Sequence, residues 1–223
     1  MTTTMAVLLG LIQGLTEFLP VSSSGHLVLA QSMMSGFSQP GMLFDTLLHM
    51  ATLLAVLIFF RERVKNLVLS FFGLFFPQYR VIYFQNKNFF WGIIIASIPT
   101  GIIGLSIAGS VERYFLSPTF VGYFLILTSV LLVISDRFKP AGELTLPKAL
   151  VIGIVQGIAV IPGISRSGST VAAGIILGIK REDMAEFSFL ISVPAIFGAT
   201  LLQIRHIDTL PVEQLYAYGA GML

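Results

Sequence analysis

The chain contains no cysteine, one tryptophan and three histidines, and only 11% of its 223 residues are charged. Without thiols there is no disulfide framework, no thiol chemistry and no thiolate metal site. His26, His49 and His206 lie far apart in sequence, which argues against a zinc-type centre. The shortage of charge is the most restrictive absence. Soluble domains usually carry about 25% charged residues, and a chain with this few, 55% of it hydrophobic, cannot cover its own surface in water. Lipid must do part of the covering. The net charge of +2 is too small to point to nucleic acid, and the first basic residue is Arg61, so a signal peptide with a basic start is not expected.

A membrane span needs roughly 20 mostly apolar residues. Residues 43–60 nearly qualify despite Asp45 and His49, and residues 89–109, 119–135 and 187–204 carry no charge. Residues 66–77 are apolar but short and read as interfacial. Two further apolar stretches, 5–34 and 146–179, are interrupted midway by Pro, Ser and Gly, as re-entrant hairpins of two half-helices would be. The expected class is an all-α integral membrane protein.

Basic residues bias the orientation. Residues 61–88 carry Arg61, Arg63, Lys65, Arg80 and Lys87 against Glu62, and residues 136–148 hold Arg137, Lys139 and Lys148. The link around Glu112 and Arg113 is balanced. By the positive-inside rule the two basic segments are cytoplasmic and the balanced link is outside. The hairpin before Leu43 then enters from outside and the one after Lys148 from the cytoplasm.

A shift of 143 residues lays Gly10, Gln13, Gly14, Ser22, Ser24, Gly25 and Val28 on identical residues, and Phe44 on Phe187. With three spans between the hairpins, the second copy is inverted, an arrangement that places a site at the midplane. Repeat one is expected over 1–135. Repeat two is expected over 146–223, with its hairpin at 146–179, a span at 187–204 and the start of another at 212–223.

The chemistry concentrates in the two interruptions. The first reads Gln13-Gly-Leu-Thr-Glu17-Phe-Leu-Pro20-Val-Ser22-Ser23-Ser24-Gly25-His26, the second Pro162-Gly163-Ile-Ser165-Arg166-Ser167-Gly168-Ser169-Thr170. In each, a serine-rich turn leads into an apolar helix, and a helix N-terminus offers free N–H groups and positive dipole to an anion. Arg166, whose planar fork binds phosphate oxygens in pairs, completes a socket for a multiply charged phosphate. As a mere snorkelling anchor Arg166 would sit badly, because it lies between apolar stretches where a charge costs at least ~2.5–3.5 kcal/mol. Glu17 falls under the same penalty, and a structural ion pair with Arg166 is its plainer reading. Gln13 and Glu17, spaced i, i+4, share a face and are candidates to hold a divalent cation or polarise water. The serines are also ordinary caps, and His26 with Ser23 makes a nucleophile and acid/base set. Gly10/Gly14 and Gly153/Gly157 read as close-packing pairs. Asp45 and His49 either support the site or hydrogen-bond between helices.

These motifs, with the run Leu15-Thr-Glu-Phe-Leu-Pro-Val-Ser-Ser-Ser-Gly-His26, resemble undecaprenyl-diphosphatase of the bacitracin-resistance type, from the N-terminus to about Tyr218. The resemblance implies hydrolysis of undecaprenyl diphosphate to undecaprenyl phosphate and inorganic phosphate, recycling the lipid carrier of bacterial cell-wall synthesis. It further implies Mg²⁺ or Ca²⁺ assistance and six spans in the inner membrane, with the site open to the periplasmic side. Carried over, Glu17 assists metal or water, and Gln13 is an allowed variant of a Glu that would also serve the metal. Ser23 and His26 are rival nucleophiles. Arg166 with Ser165 and Thr170 binds the diphosphate, with Ser22, Ser24, Gly25 and Ser167 around it. The partners are then a polyprenyl diphosphate lipid and the bilayer, with a homodimer also allowed. Because the family continues for about two more spans, the chain is expected to lack C-terminal spans. On sequence grounds Gln13→Glu is expected to be tolerated. A secondary transporter with a midplane ion or anion site is the main alternative reading, since inverted repeats with broken helices are also transporter architecture. A non-catalytic lipid-binding scaffold leaves the buried charges unexplained.

Overall fold

A computed structural model of the chain describes residues 1–37, 43–111, 117–205 and 214–223. The described residues form ten α-helices and one 3₁₀ turn. They are α1 (Thr3–Thr16), α2 (Ser23–Met33), α3 (Leu43–Phe59), α4 (Arg61–Phe72), α5 (Arg80–Ser110), α6 (Pro118–Asp136), α7 (Leu146–Ile158), α8 (Arg166–Ile176), α9 (Arg181–Arg205) and α10 (Leu215–Met222). The balanced link at Glu112 and Arg113, His206, and the beginning of the final 212–223 stretch lie outside the described residues.

Among the described residues α5, α6 and α9 are long and apolar enough to cross a bilayer, and α3 with α4 passes only as a pair bent by 82°. Trp91, Ile94, Ile98, Ile102 and Leu105 recur every three or four residues along α5 and are exposed, so they form a stripe on one side of the helix. Tyr123, Ile126, Leu127, Val130 and Val133 do the same on α6. Bands this apolar are covered by lipid, and the chain is a multi-pass, all-helical membrane protein. Two helices extend beyond the apolar stretches. Helix α5 begins at Arg80, so Arg80 and Lys87 lie on its first turns rather than in a loop, and α4 makes residues 61–72 helical.

Helix α8 occupies the residues that α2 would occupy after a shift of 143, and α7 starts where α1 would. The neighbours also correspond. Helix α7 packs on α5, α1 on α10, and α3 on α9. A Cβ on Gly153 would lie 2.2 Å from the Ala96 carbonyl oxygen, and one on Gly10 would lie 2.0 Å from that of Gly221. Both glycines are therefore contact points where backbones touch. Gly157 likewise meets α5, whereas Gly14 faces open space. Two cores result. Phe89 and Phe187 meet edge-on at 5.2 Å beside Ala96, Ile152 and Met184, while Phe44 and Tyr218 meet at 5.1 Å beside Ala6, Leu9 and Leu27. In the first turn of α4, Arg63 holds both Glu186 oxygens at 2.8 Å and the Asn86 side-chain oxygen at 2.8 Å, with its guanidinium 4.4 Å above the Phe89 ring. That cluster ties α4, α5 and α9 together at one end.

Candidate active site

Helix α1 ends at Thr16, with Glu17 as its C-cap. The chain turns through Pro20, which has no N–H to continue a helix. Ser22 then takes φ +65°, the only positive φ of a non-glycine among the described residues. Its hydroxyl accepts from the Gly25 N–H at 3.3 Å and starts α2. The second interruption is built alike. Gly163 takes φ +94°, and the Ser165 hydroxyl accepts from the Gly168 N–H at 3.1 Å to start α8. Thr128 on α6 braces this turn, donating to the Gly163 carbonyl at 3.2 Å and accepting from the Ser165 N–H at 3.1 Å.

The two turns touch. A Cβ on Gly25 would lie 3.1 Å from the Gly163 Cα, and one on Gly168 would lie 3.0 Å from the Pro20 carbonyl oxygen. These glycines serve close approach. The Ser167 hydroxyl reaches the Leu19 carbonyl at 3.5 Å, and Arg166 pairs with Glu17 through Nη2 and Oε1. The other Glu17 oxygen accepts from the Ser23 hydroxyl and, at 3.0 Å, from the Gln13 amide, with His49 Nδ1 at 3.3 Å. Glu17 is 6% exposed, so its charge is almost wholly satisfied by protein.

These groups open onto a cavity of about 190 Å³. Its polar wall is Glu17, Ser22, Ser23, Ser24, His49, Ser165, Arg166 and Ser167, together with Thr46, Thr100 and Gln156. The first N–H groups of a helix have no acceptor within it. Those of α2 and α8 are left to an anion where the serine caps do not use them. A second cavity of about 390 Å³, mostly apolar, runs between α5 and α9 and shares Thr46, Thr100, Val160, Ala195 and Ala199 with the first.

Of the residues assigned from the sequence to catalysis, diphosphate or metal, Glu17, Ser22, Ser23, Ser24, Ser165, Arg166 and Ser167 line this cavity, and four do not. His26 turns away because its Nδ1 bonds the Ser22 carbonyl at 2.9 Å, one turn back, and it makes no bond to Ser23. Thr170 is tied to Ser188 at 2.6 Å and to its own helix, where it packs α8 on α9. Gly25 is used in the contact between turns. Gln13 lies behind Glu17 with its N–H group toward the carboxylate, so the two do not offer oxygens to one cation; the Gln13 Oε1 is buried without a partner. Asp45 accepts from Gln31 at 2.6 Å, a bond between helices. His49 reaches the cavity, although it stood only as a candidate supporting residue. Thr100 and Gln156 were missed as site residues; the repeat match of Gln156 to Gln13 was the signal available.

Residues 6–223 match the family model described as bacitracin resistance protein BacA. The chain belongs to this family. Curated relatives named undecaprenyl-diphosphatase include that of Methanosphaera stadtmanae, 43% identical over 218 residues, which cover 92% of this chain and 78% of the relative. That of Syntrophotalea carbinolica is 43% identical over 220 residues, 97% of this chain and 82% of the relative. That of Moorella thermoacetica is 40% identical over 228 residues, 100% and 83%. Within the BacA family, the transporter reading finds no support from these relatives.

Proposed function

We propose that this chain is an undecaprenyl-diphosphatase, which removes the terminal phosphate of undecaprenyl diphosphate to leave undecaprenyl phosphate and inorganic phosphate. One observation carries the reading beyond family membership: a carboxylate, a guanidinium and a hydroxyl meet where two serine-capped helix starts converge. Arg166 and the free N–H groups bind the diphosphate and stabilise charge on its oxygens in the transition state. Ser23 is the nucleophile this geometry favours. Its hydroxyl already donates to Glu17, whereas His26 faces away from the cavity. The Ser23 oxygen bonds to the terminal phosphorus as its proton passes to Glu17, and the anhydride P–O bond breaks, releasing undecaprenyl phosphate with the bridging oxygen. Water then attacks the phosphoserine as Glu17 returns its proton to the Ser23 oxygen, and inorganic phosphate leaves carrying the protons of the water, with Ser23 and Glu17 restored.

For a divalent cation the chain's own donors are sparse. Among the described residues no group of three His, Cys, Asp or Glu could hold one. Mg²⁺ is commonly held by one or two carboxylates together with substrate phosphates, and Glu17 is the carboxylate that fits this role. An Mg²⁺ or Ca²⁺ ion would supply further charge neutralisation on the phosphate oxygens.

The same reading includes the architecture: two re-entrant hairpins, α1–α2 and α7–α8, related as an inverted repeat and meeting at mid-membrane in the inner membrane, with the site open to the periplasmic side. The matching helix starts, the paired backbone contacts of Gly10 and Gly153, and the basic segments support it. Phosphate release from undecaprenyl diphosphate by the purified protein, with and without a chelator, tests the activity. Because the chain has no cysteine, single cysteines at Ser24 and Lys139 test the orientation. An impermeant thiol reagent applied outside cells should label the first and spare the second.

A further inference from the structure

We propose that His49 is a second donor to the diphosphate group, and that Gln13 fixes the ring tautomer that makes it one. The Gln13 amide nitrogen has three neighbours: Glu17 Oε2 at 3.0 Å, His49 Nδ1 at 2.8 Å and Thr52 Oγ1 at 3.3 Å. Glu17 supplies only acceptor atoms, and Thr52 spends its proton on a backbone carbonyl of its own helix, 3.0 Å away at His49. An amide oxygen in this place would face the carboxylate with lone pair against lone pair. The nitrogen therefore stands there, and an amide nitrogen has no lone pair to accept with. Its 2.8 Å approach to His49 is a hydrogen bond only if Nδ1 carries no proton. The 3.3 Å between Nδ1 and Glu17 is then a gap bridged by Gln13 rather than an ion pair.

The proton of a neutral His49 ring sits on Nε2, on the edge away from Gln13. That nitrogen has no partner among the described residues. The ring's side chain is 25% exposed and lines the cavity beside Glu17, Arg166 and the serines. It thus presents an uncommitted N–H where a phosphate oxygen would sit. Gln13 acts as a positioning residue through the ring.

The inference takes its ligand from the phosphatase reading, so the test has an arm independent of turnover. In ¹⁵N-histidine spectra of the solubilised protein, the His49 signals, assigned by their loss in His49→Gln, should show a bare Nδ1 and a protonated Nε2. Inorganic pyrophosphate should shift Nε2. In turnover of a polyprenyl diphosphate, His49→Phe should raise KM by about ten- to a hundredfold, the range for a hydrogen bond to a charged group, with a smaller change in kcat. His49→Gln, which keeps a side-chain N–H, should recover most of the affinity. A protonated Nδ1, pyrophosphate that leaves the His49 signals in place, or a glutamine variant as impaired as phenylalanine would each overturn the proposal. Failure of the wild-type protein to release phosphate would instead strike the phosphatase reading, with the spectra still deciding the role of His49.

Discussion

Replacing Glu17 with glutamine separates the roles that its carboxylate combines. In the resting site three donors converge on it, from Arg166, Ser23 and Gln13. Glutamine offers one oxygen and one NH₂ group in the same space, so at least one of these donors meets another donor. Arg166 also loses its counter-charge. Breaking a buried ion pair costs about 3–5 kcal/mol; the Arg166 side chain is 21% exposed, which places the expected loss of stability at or below the lower end. Catalysis should suffer more. Proton transfer to a positioned base contributes typically about 10²–10⁴-fold, so kcat should fall by about three orders of magnitude. KM should hold or fall, because Arg166 is released to the diphosphate. Phosphate release against substrate concentration gives both constants, and thermal unfolding in detergent shows whether the variant is folded. A folded Glu17→Gln protein with kcat within about tenfold of wild type would remove Glu17 as base and as cation anchor together.

Arg166→Lys keeps the charge but loses the planar fork, so it should reduce activity nearly as much as Arg166→Ala; a lysine variant close to wild type would make Arg166 a point charge only. Ser23→Ala should abolish turnover while His26→Ala keeps a measurable rate, and a trappable phosphohistidine would reverse that assignment. Gly153→Ala sets a methyl group 2.2 Å from the Ala96 carbonyl, so α7 must move off α5; a loss of about 1–3 kcal/mol is expected in unfolding. Gln13→Glu, tolerable from the sequence, puts a second carboxylate beside Glu17 and removes the N–H that links it to His49. Its kcat/KM should drop about tenfold, a loss in line with one hydrogen bond to a charged group.

What could be read in advance depended on whether the determining contacts were local. The interruptions at Pro20 and Pro162, the serine caps and the apolar lengths are written within a few residues of where they act. The buried charges announced themselves because Glu17 and Arg166 are costly in apolar surroundings, and they satisfy each other across 149 residues. His49 was harder to place. Its spacing to Asp45 suggested a shared purpose, but Asp45 bonds Gln31 while His49 reaches Gln13, because α3 turns the two toward different helices. The orientation of His26 has a local cause. The left-handed backbone at Ser22 brings that residue's carbonyl to the imidazole, and composition gives no warning of it. Thr128, which braces the second turn from α6, looked like one more residue of a span.

The pairing of Glu17 with Arg166 raises the question of how the site receives a diphosphate without first breaking its own ion pair. The answer lies in how little of Arg166 the pair uses. A guanidinium carries five N–H donors, and among the described residues only Nη2 is engaged, with a single oxygen of Glu17. The rest of the fork can bind phosphate oxygens while the pair stays intact. The resting site is then close to neutral, which lowers the cost of holding both charges in apolar surroundings. Glu17 meanwhile keeps its place beside Ser23, whose hydroxyl already donates to it, for the moment that proton must be given up. Arg166 thereby serves substrate and base at once, and this is why a lysine, a point charge without the fork, is expected to fail there.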